Sequence, residues 1–180
     1  MKSLFLHLFL LWPIAASGQV PANIGGSIAI GVQNEMLPEG SRYKPNMLLG
    51  YADVPFFKGE RKTNVFFYIE PQLVWVFFAD GNEFEFGLNG GVKFEHWIRP
   101  NTGIYGGIGA GPHFITVDTR RQANGFIFSD NFFVGLRQRI NKDLSLNMQL
   151  RYRHISNAGL KRPNGGIDNF FGVVGIYKEM

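Results

Sequence analysis

Residues 83–95 read EFEFGLNGGVKFE, and their side chains alternate between two kinds with a period of two. The apolar side chains share one parity, namely Phe84, Phe86, Leu88, Val92 and Phe94. The other parity carries Glu83, Glu85, Asn89, Lys93 and Glu95. Successive side chains of a β-strand point to opposite faces of the sheet. The stretch therefore predicts a strand with one apolar and one charged face.

The same alternation extends over most of the chain. It is clear in residues 64–78 and 144–153, and weaker in five other segments: 24–34, 44–52, 102–116, 126–140 and 167–178. Turn-forming residues separate these segments, as in Asp80-Gly81, Arg99-Pro100-Asn101 and Asn141-Lys142-Asp143. The sequence therefore predicts an all-β fold with eight strands.

Strand length indicates where this fold resides. Several segments run for 11 to 15 residues, whereas globular strands average about 5–6 residues and membrane-crossing strands need about 9–11. An even number of long strands with one apolar parity is typical of the outer membrane. We therefore predict an eight-stranded antiparallel transmembrane β-barrel, integral to the cell outer membrane.

A soluble, lipocalin-like barrel with its apolar face turned inward is the alternative. The polar parity argues against it, because it is dense in Glu, Arg, Lys, Gln and Asn, as a packed polar interior requires. Eight strands enclose only enough space for side chains. A functional site is therefore expected at a rim or on the outer wall.

The first 18 residues, MKSLFLHLFLLWPIAASG, have the parts of an export signal. Lys2 supplies the positive start, residues 4–14 are an apolar core, and Ala16-Ser17-Gly18 are small residues before a cleavage site. We place the cut before Gln19, so that residues 19–180 form a single barrel domain. A membrane anchor is the alternative, but the apolar run is shorter than the roughly 20 residues that a spanning helix needs.

Composition excludes several classes of protein. The chain of 180 residues has 18 Lys+Arg, 14 Asp+Glu and no Cys. The lack of Cys excludes a disulfide scaffold, a Cys-ligated metal centre and a lipoprotein anchor. Charges of both signs are interspersed, so we expect no nucleic-acid partner. The 4 His are scattered, so we expect no metal and no cofactor.

Three smaller features have structural explanations. The glycine-rich residues 106–111 lie within a predicted strand with no helix after them, so we expect them to relieve crowding in a narrow barrel. His96 and His113 are expected to be structural polar residues. Arg120-Arg121 and Lys161-Arg162 fall in predicted loops, where they are either solvated or bind an anion.

Residues 151–168, RYRHISNAGLKRPNGGID, carry the strongest candidate for chemistry. His154 and Ser156 are two apart and share the even parity of Leu144, Leu146, Met148, Leu150 and Tyr152. They therefore continue the lipid-facing stripe, where polar groups are costly unless they bond to something. Asp168 opens the next segment with the same parity and could flank His154 across a hairpin. Ser, His and an acid on one face can perform nucleophilic acyl transfer, although polar residues decorating the headgroup rim would have the same pattern.

The segment resembles the terminal motif of the lipid A 3-O-deacylases, the PagL family of outer-membrane esterases. His154, Ser156, Asn157, Ala158 and Asp168 fall on the family pattern. The resemblance implies hydrolysis of an ester-linked acyl chain of lipid A in lipopolysaccharide. It assigns Ser156 as nucleophile, His154 as general base and Asp168 as orienting acid, facing the bilayer near the extracellular end.

Two positions depart from the family. Its acid is usually Glu, whereas Asp168 is one methylene shorter. Barrels of this class commonly end on an aromatic residue, whereas here Tyr177 is followed by three more residues.

Other groups near the nucleophile are candidates for binding the substrate. Asn157, Asn164 and the backbone N–H of Gly159 are candidate donors to the oxyanion, and Lys161 and Arg162 are candidate contacts for lipid A phosphate or sugar. Two alternative functions stay open at this point. One is a non-catalytic small barrel for adhesion or membrane integrity, and the other is a phospholipase with the same triad.

Overall fold

The computed structural model describes residues 21–33, 37, 43–58, 62–78 and 81–180, and within these ranges the chain forms eight strands and no helix. In chain order the strands are β1 (Asn23–Gln33), β2 (Lys44–Lys58), β3 (Thr63–Phe78), β4 (Gly81–Arg99), β5 (Thr102–Ile115), β6 (Gly125–Arg139), β7 (Leu144–Ser156) and β8 (Ile167–Glu179). Each strand pairs antiparallel with its sequence neighbours, and β1 closes on β8. The predicted eight-stranded antiparallel barrel is confirmed.

The predicted signal peptide, residues 1–18, lies outside the described residues, so the cut before Gln19 and the single domain 19–180 stay predictions. No helix in the described part of the chain is long and apolar enough to cross a membrane. The strand bounds agree with the predicted segments to within two residues except at β2, β4 and β7, which are longer. The largest difference is at β2, predicted over 44–52 but continuing to Lys58 through a β-bulge between Pro55 and Phe57.

The outer wall of the barrel is apolar, as the parity predicted. On β7, Met148 and Leu150 are 40% and 70% exposed, whereas Gln149 and Arg151 are 5% and 2% exposed. The even residues of this strand therefore face outward and the odd residues fill the barrel. An apolar exterior around a polar interior is the arrangement of a transmembrane barrel and the reverse of a lipocalin.

Buried ion pairs cross the interior. Each pair joins a basic and an acidic side chain: Arg151 with Glu70 (2.5 Å), Arg153 with Glu85 (2.8 Å), Arg137 with Glu95 (3.1 Å) and Lys93 with Asp53. Each pair joins two strands that are not neighbours in the sheet. The pairs therefore fill the lumen and link strands that are not adjacent in the sheet.

The two ends of the barrel differ. At one end, which we call the terminal end, β1 begins, β8 ends, and the chain passes from β2 to β3, from β4 to β5 and from β6 to β7. The connections after β1, β3, β5 and β7 lie at the other, which we call the loop end and which includes residues 116–124 and 157–166.

The interior is not polar along its whole length, which corrects the expectation from parity. Six inward side chains near the loop end are fully buried and apolar: Val74, Val76, Ile115, Ile127, Ile155 and Ile167. Leu37 and Tyr43, from the connection between β1 and β2, belong to the same buried cluster. Both faces of the strands are apolar here, which explains why residues 126–140 alternate imperfectly.

The glycines of β5 make room for aromatic rings inside the barrel, as predicted. A Cβ at Gly109 would lie 2.0 Å from the Tyr68 hydroxyl, and one at Gly107 would lie 2.5 Å from the Phe133 ring. His113 is buried in the same interior, with Nε2 3.2 Å from Asn89 Oδ1. His96 lies 2.8 Å from the Thr63 hydroxyl. Both histidines have the structural polar contacts that the sequence predicted.

Candidate active site

Strands β6, β7 and β8 bring the predicted site residues together at the loop end. In the strand register His154 of β7 lies opposite Asp168 of β8 on one side and Asp130 of β6 on the other. These three residues have outward parity, so a row of polar groups crosses an otherwise apolar wall.

The contact between His154 and Asp168 is the best-defined feature of the row. His154 Nδ1 lies 2.7 Å from Asp168 Oδ1, and the two side chains are 36% and 25% exposed. The register alone produces this contact, because directly opposed residues of antiparallel strands have neighbouring side chains. A carboxylate at Nδ1 fixes the imidazole so that Nε2 is free to accept a proton.

Ser156 is the last residue of β7 and lies two residues after His154 on the same outward face. Within the described residues, the structure shows no hydrogen bond between the Ser156 hydroxyl and the imidazole. Contacts between nucleophile and base are often long before substrate binds and tighten in the complex. The hairpin therefore puts Ser156 on the same outward face as the His–Asp pair, with no hydrogen bond from its hydroxyl to the imidazole among the described residues.

The connection after Ser156 is organised around Asn157, which is 1% exposed. Its backbone N–H donates to Asn164 Oδ1 (2.8 Å), and its amide Nδ2 donates to the Lys161 carbonyl (2.7 Å). The Gly159 N–H in turn donates to Asn157 Oδ1 (3.0 Å). Two of the three predicted oxyanion donors, Asn157 and Gly159, thus already have partners inside the loop. Asn164 Nδ2 has no such partner among the described residues.

The neighbouring connection, residues 116–124, braces this loop. The Gly165 N–H donates to the Arg121 carbonyl (2.6 Å), and the Ala123 N–H donates to the Pro163 carbonyl (2.9 Å). Lys161 Nζ donates to Asn124 Oδ1 (2.5 Å), and Lys161 and Arg162 are both exposed. The two predicted phosphate or sugar contacts therefore lie on a loop that is held at several points above the His–Asp pair.

Two residues near the pair were not predicted from the sequence. The Tyr152 hydroxyl donates to Asp168 Oδ1 at 2.7 Å, and Gly166 lies against the imidazole, where a Cβ would be 2.4 Å from His154 Cε1. Its parity alone places Tyr152 in the apolar stripe. The one signal that separates Tyr152 from that stripe is a hydroxyl two residues before the histidine on the same face.

Shallow apolar grooves run along the outer wall beside the site. One of about 300 Å³ includes Asp130 and Tyr152 and is otherwise lined mainly by Val92, Ile108, Ala110 and Phe132. A separate, larger one of about 840 Å³ lies nearer the terminal end and includes Gly106, Val134, Leu150 and Gly172. An extended hydrocarbon chain has the shape and polarity that fit such grooves.

Among the described residues, no group of three or more His, Asp or Glu side chains is placed to hold a metal ion.

Comparison with known proteins gives the following matches. The model of a family described as PagL, lipid A 3-O-deacylase, matches residues 52–177. The crystal structure of the outer membrane enzyme PagL aligns with a TM-score of 0.65 at 17% identity, covering 87% of this chain and 99% of that one. Neisserial surface protein A aligns with a TM-score of 0.62 at 10% identity, covering 88% and 96%.

The attachment invasion locus protein Ail of Yersinia pestis aligns with a TM-score of 0.56 at 12% identity, covering 90% of this chain and 99% of that one. Among curated proteins no match was found. At these identities the solved structures establish a shared outer-membrane barrel fold, and the family match extends over most of the barrel.

Proposed function

Because the chain belongs to the lipid A 3-O-deacylase (PagL) family of outer-membrane enzymes, we propose that it removes an ester-linked acyl chain from lipid A as a Ser–His–Asp esterase. The observation that carries the mechanism is the 2.7 Å contact between His154 and Asp168, with Ser156 on the same outward face. Non-catalytic barrels share this fold, but nothing in a purely structural role requires that constellation.

The reaction proceeds in two half-reactions. The Ser156 hydroxyl attacks the ester carbonyl while His154 Nε2 takes its proton, and Asp168 stabilises the resulting imidazolium. The tetrahedral intermediate then collapses, and the imidazolium returns the proton to the departing sugar oxygen. Water attacks the acyl-enzyme by the same route, releasing the fatty acid and restoring the serine.

The tetrahedral oxyanion requires hydrogen-bond donors. Asn164 Nδ2 is the side-chain donor we assign to it, because the N–H groups of Asn157 and Gly159 already donate within the loop. Asn157 then acts by holding Asn164 in place through its own backbone N–H.

The position of the site suits a substrate that resides in the membrane. Asp130 and Tyr152, which neighbour the proposed triad, line an apolar groove of about 300 Å³ that can receive part of an acyl chain. With the chain termini in the periplasm, as is usual for such barrels, the loop end faces the cell exterior. Lys161 and Arg162 would then lie at the depth of the lipid A phosphates.

The test is to replace the nucleophile and the base separately. Ser156→Ala and His154→Ala should each lower the deacylation rate by a factor on the order of 10⁶, as measured by mass spectrometry of lipid A from cells that express each variant. Ser145→Ala is the matched control, since it removes a hydroxyl from the inner face of the same strand. This hydroxyl has no hydrogen-bond partner among the described residues.

Folding of each variant is checked by its heat-dependent mobility in detergent gels. Full activity in folded Ser156→Ala would contradict the mechanism and favour the non-catalytic alternative. Release of fatty acid from glycerophospholipid with lipid A left intact would instead identify a phospholipase that uses the same residues.

A further inference from the structure

We propose that Tyr152 is a positioning residue that holds the Asp168 carboxylate in the orientation that His154 needs. This inference rests on the proposed function. Its basis is that one oxygen, Asp168 Oδ1, lies 2.7 Å from the Tyr152 hydroxyl and 2.7 Å from His154 Nδ1. The tyrosine touches the acid and acts on the reaction through it.

Tyr152 is unusual among the tyrosines of this chain. Of the 6 Tyr residues, five are buried inside the barrel: Tyr43, Tyr51, Tyr68, Tyr105 and Tyr177. Tyr152 alone has outward parity, on β7 two residues before His154. An outward phenol near hydrocarbon needs a polar partner, and the partner here is the carboxylate of the proposed triad.

The ring of Tyr152 is held by its neighbours. It packs on Phe170 of β8 with ring centroids 5.3 Å apart and an interplanar angle of 55°. In the register it lies opposite Phe170 on one side and Phe132 of β6 on the other. Packing on Phe170 favours the ring orientation in which the hydroxyl reaches Asp168.

A second hydrogen-bond donor helps to fix the orientation of the Asp168 carboxylate, because this side chain is partly exposed and little else restrains it. Asp168 has two rotatable side-chain bonds, and a single hydrogen bond to the imidazole leaves the carboxylate free to rotate. A second donor on the same oxygen restricts this rotation. Hydrogen bonds to a charged group are also stronger next to a low-dielectric medium than in water.

A purely structural role makes a different prediction. If the Tyr152 hydroxyl donates to Asp168 only to satisfy its own hydrogen bond, the orientation of the carboxylate does not depend on it. Removing the hydroxyl then changes stability and leaves activation of Ser156 unchanged. If Tyr152 positions the acid, its effect must disappear once the carboxylate itself is removed. A double-mutant cycle between Tyr152 and Asp168 separates the two cases.

The experiment compares the full-length parent, Tyr152→Phe, Asp168→Asn and the double variant, each folded in detergent micelles. Two readouts are measured, the kcat and KM for lipid A and the rate at which a fluorophosphonate labels Ser156. In the labelling step Ser156 Oγ bonds to phosphorus, fluoride departs and the hydroxyl proton goes to His154. This rate reports activation of the nucleophile without involving lipid A.

We expect Tyr152→Phe to lower kcat and the labelling rate by about tenfold each, the effect of one hydrogen bond to a charged group, with KM unchanged. In the Asp168→Asn background the same change should have no further effect. Thr116→Val is the matched control. It removes another hydroxyl that donates to a carboxylate at the loop end, that of Glu83, and should leave both readouts unchanged.

The inference would be overturned if Tyr152→Phe kept kcat and the labelling rate within about twofold of the parent, or if it lost equally much in the parent and in Asp168→Asn. A raised KM with kcat retained would also overturn it, because that would identify a substrate contact. A parent protein that is neither labelled nor active on lipid A would overturn it as well. A parent that is labelled but does not hydrolyse lipid A would instead contradict the proposed substrate, and the cycle on labelling would still decide the role of Tyr152.

Discussion

The acid of the proposed triad is the residue whose chemistry can be tested most sharply. Asp168→Asn should lower kcat by about 10³–10⁴, because an amide can favour the wrong imidazole tautomer and cannot stabilise imidazolium. Asp168→Glu, the residue usual in the family, should keep activity within about tenfold of the parent. Deacylation of lipid A in mixed micelles measures both.

Asp143→Asn, in the turn before β7 at the opposite end of the barrel, is the control for loss of a surface carboxylate. If folded Asp168→Asn deacylated lipid A within a few-fold of the parent, the acid would leave the mechanism and a Ser–His dyad would remain.

Gly166 is expected to be critical because it lies against the base. Its φ is +68°, and a Cβ there would lie 2.4 Å from His154 Cε1 and 3.0 Å from Nε2. Gly166→Ala should therefore displace the imidazole and lower kcat by a factor on the order of 10², the usual cost of misplacing a reacting group by about 1 Å. Gly125→Ala introduces comparable backbone strain, at φ +101° with no atom within 4 Å of the added Cβ. Equal kcat values for the two variants would show that the displacement of His154 is unimportant.

Much of the candidate site could be predicted from the sequence because period-two alternation determines which side chains share a face. This placed His154, Ser156 and Asp168 together on the outer wall. Tyr152 and Gly166 could not be found in that way. Their contacts depend on ring packing and on a left-handed backbone angle, neither of which has a signature in the alternation.

At the scale of a strand, β7 has a clear division between its two faces. Met148 is 40% exposed on the outer wall, four residues into β7 from its first residue, Leu144. Met148→Arg should lower the free energy of unfolding by roughly 2–4 kcal/mol, the usual cost of a cation near the bilayer midplane. Urea unfolding in lipid vesicles measures it.

Two substitutions on β7 control for depth and for change of side chain. Leu144 is the first residue of β7 and lies opposite Lys178. Leu144→Arg should therefore lower the free energy of unfolding by only about 0–1 kcal/mol, as is usual near the membrane interface. Met148→Leu should be nearly neutral. A larger loss for Leu144→Arg than for Met148→Arg would contradict the assigned depth of the strand.

The ends of the strands were predicted less well than their faces. β2 continues past the predicted end at Ala52 because Pro55, which usually marks a strand end, is accommodated at a bulge. β4 extends beyond residues 83–95 at both ends, to Gly81 and Arg99. Alternation specifies which side chains face outward, whereas pairing with neighbouring strands decides how far each strand continues.

At the scale of the whole barrel, removing one partner of an interior ion pair is expected to be strongly destabilising. Glu70 binds Arg151 through two contacts of 2.5 Å, and both side chains are essentially inaccessible to solvent. Glu70→Gln leaves a buried guanidinium without its counter-charge and should cost about 3–5 kcal/mol in the free energy of unfolding.

Glu179→Gln is the comparison for this effect, because Glu179 is 30% exposed and pairs with Arg137 and Arg139 at the terminal end. Removing the charge of Glu179 should lower the free energy of unfolding by about 1 kcal/mol or less. Similar urea midpoints for the two variants would contradict the importance of burial. The parity of the sequence predicted charges inside the barrel, but the choice of partners depends on strand register and could not be predicted.

The outward placement of His154, Ser156 and Asp168 also has a kinetic consequence. A substrate embedded in the membrane reaches such a wall by lateral diffusion within one leaflet, so the relevant concentration is two-dimensional. Turnover should then follow the mole fraction of lipid A at the surface, and inert detergent should slow it by surface dilution even when the amounts of enzyme and substrate are constant. Both products start in the leaflet that supplied the substrate, so their accumulation there competes with further turnover.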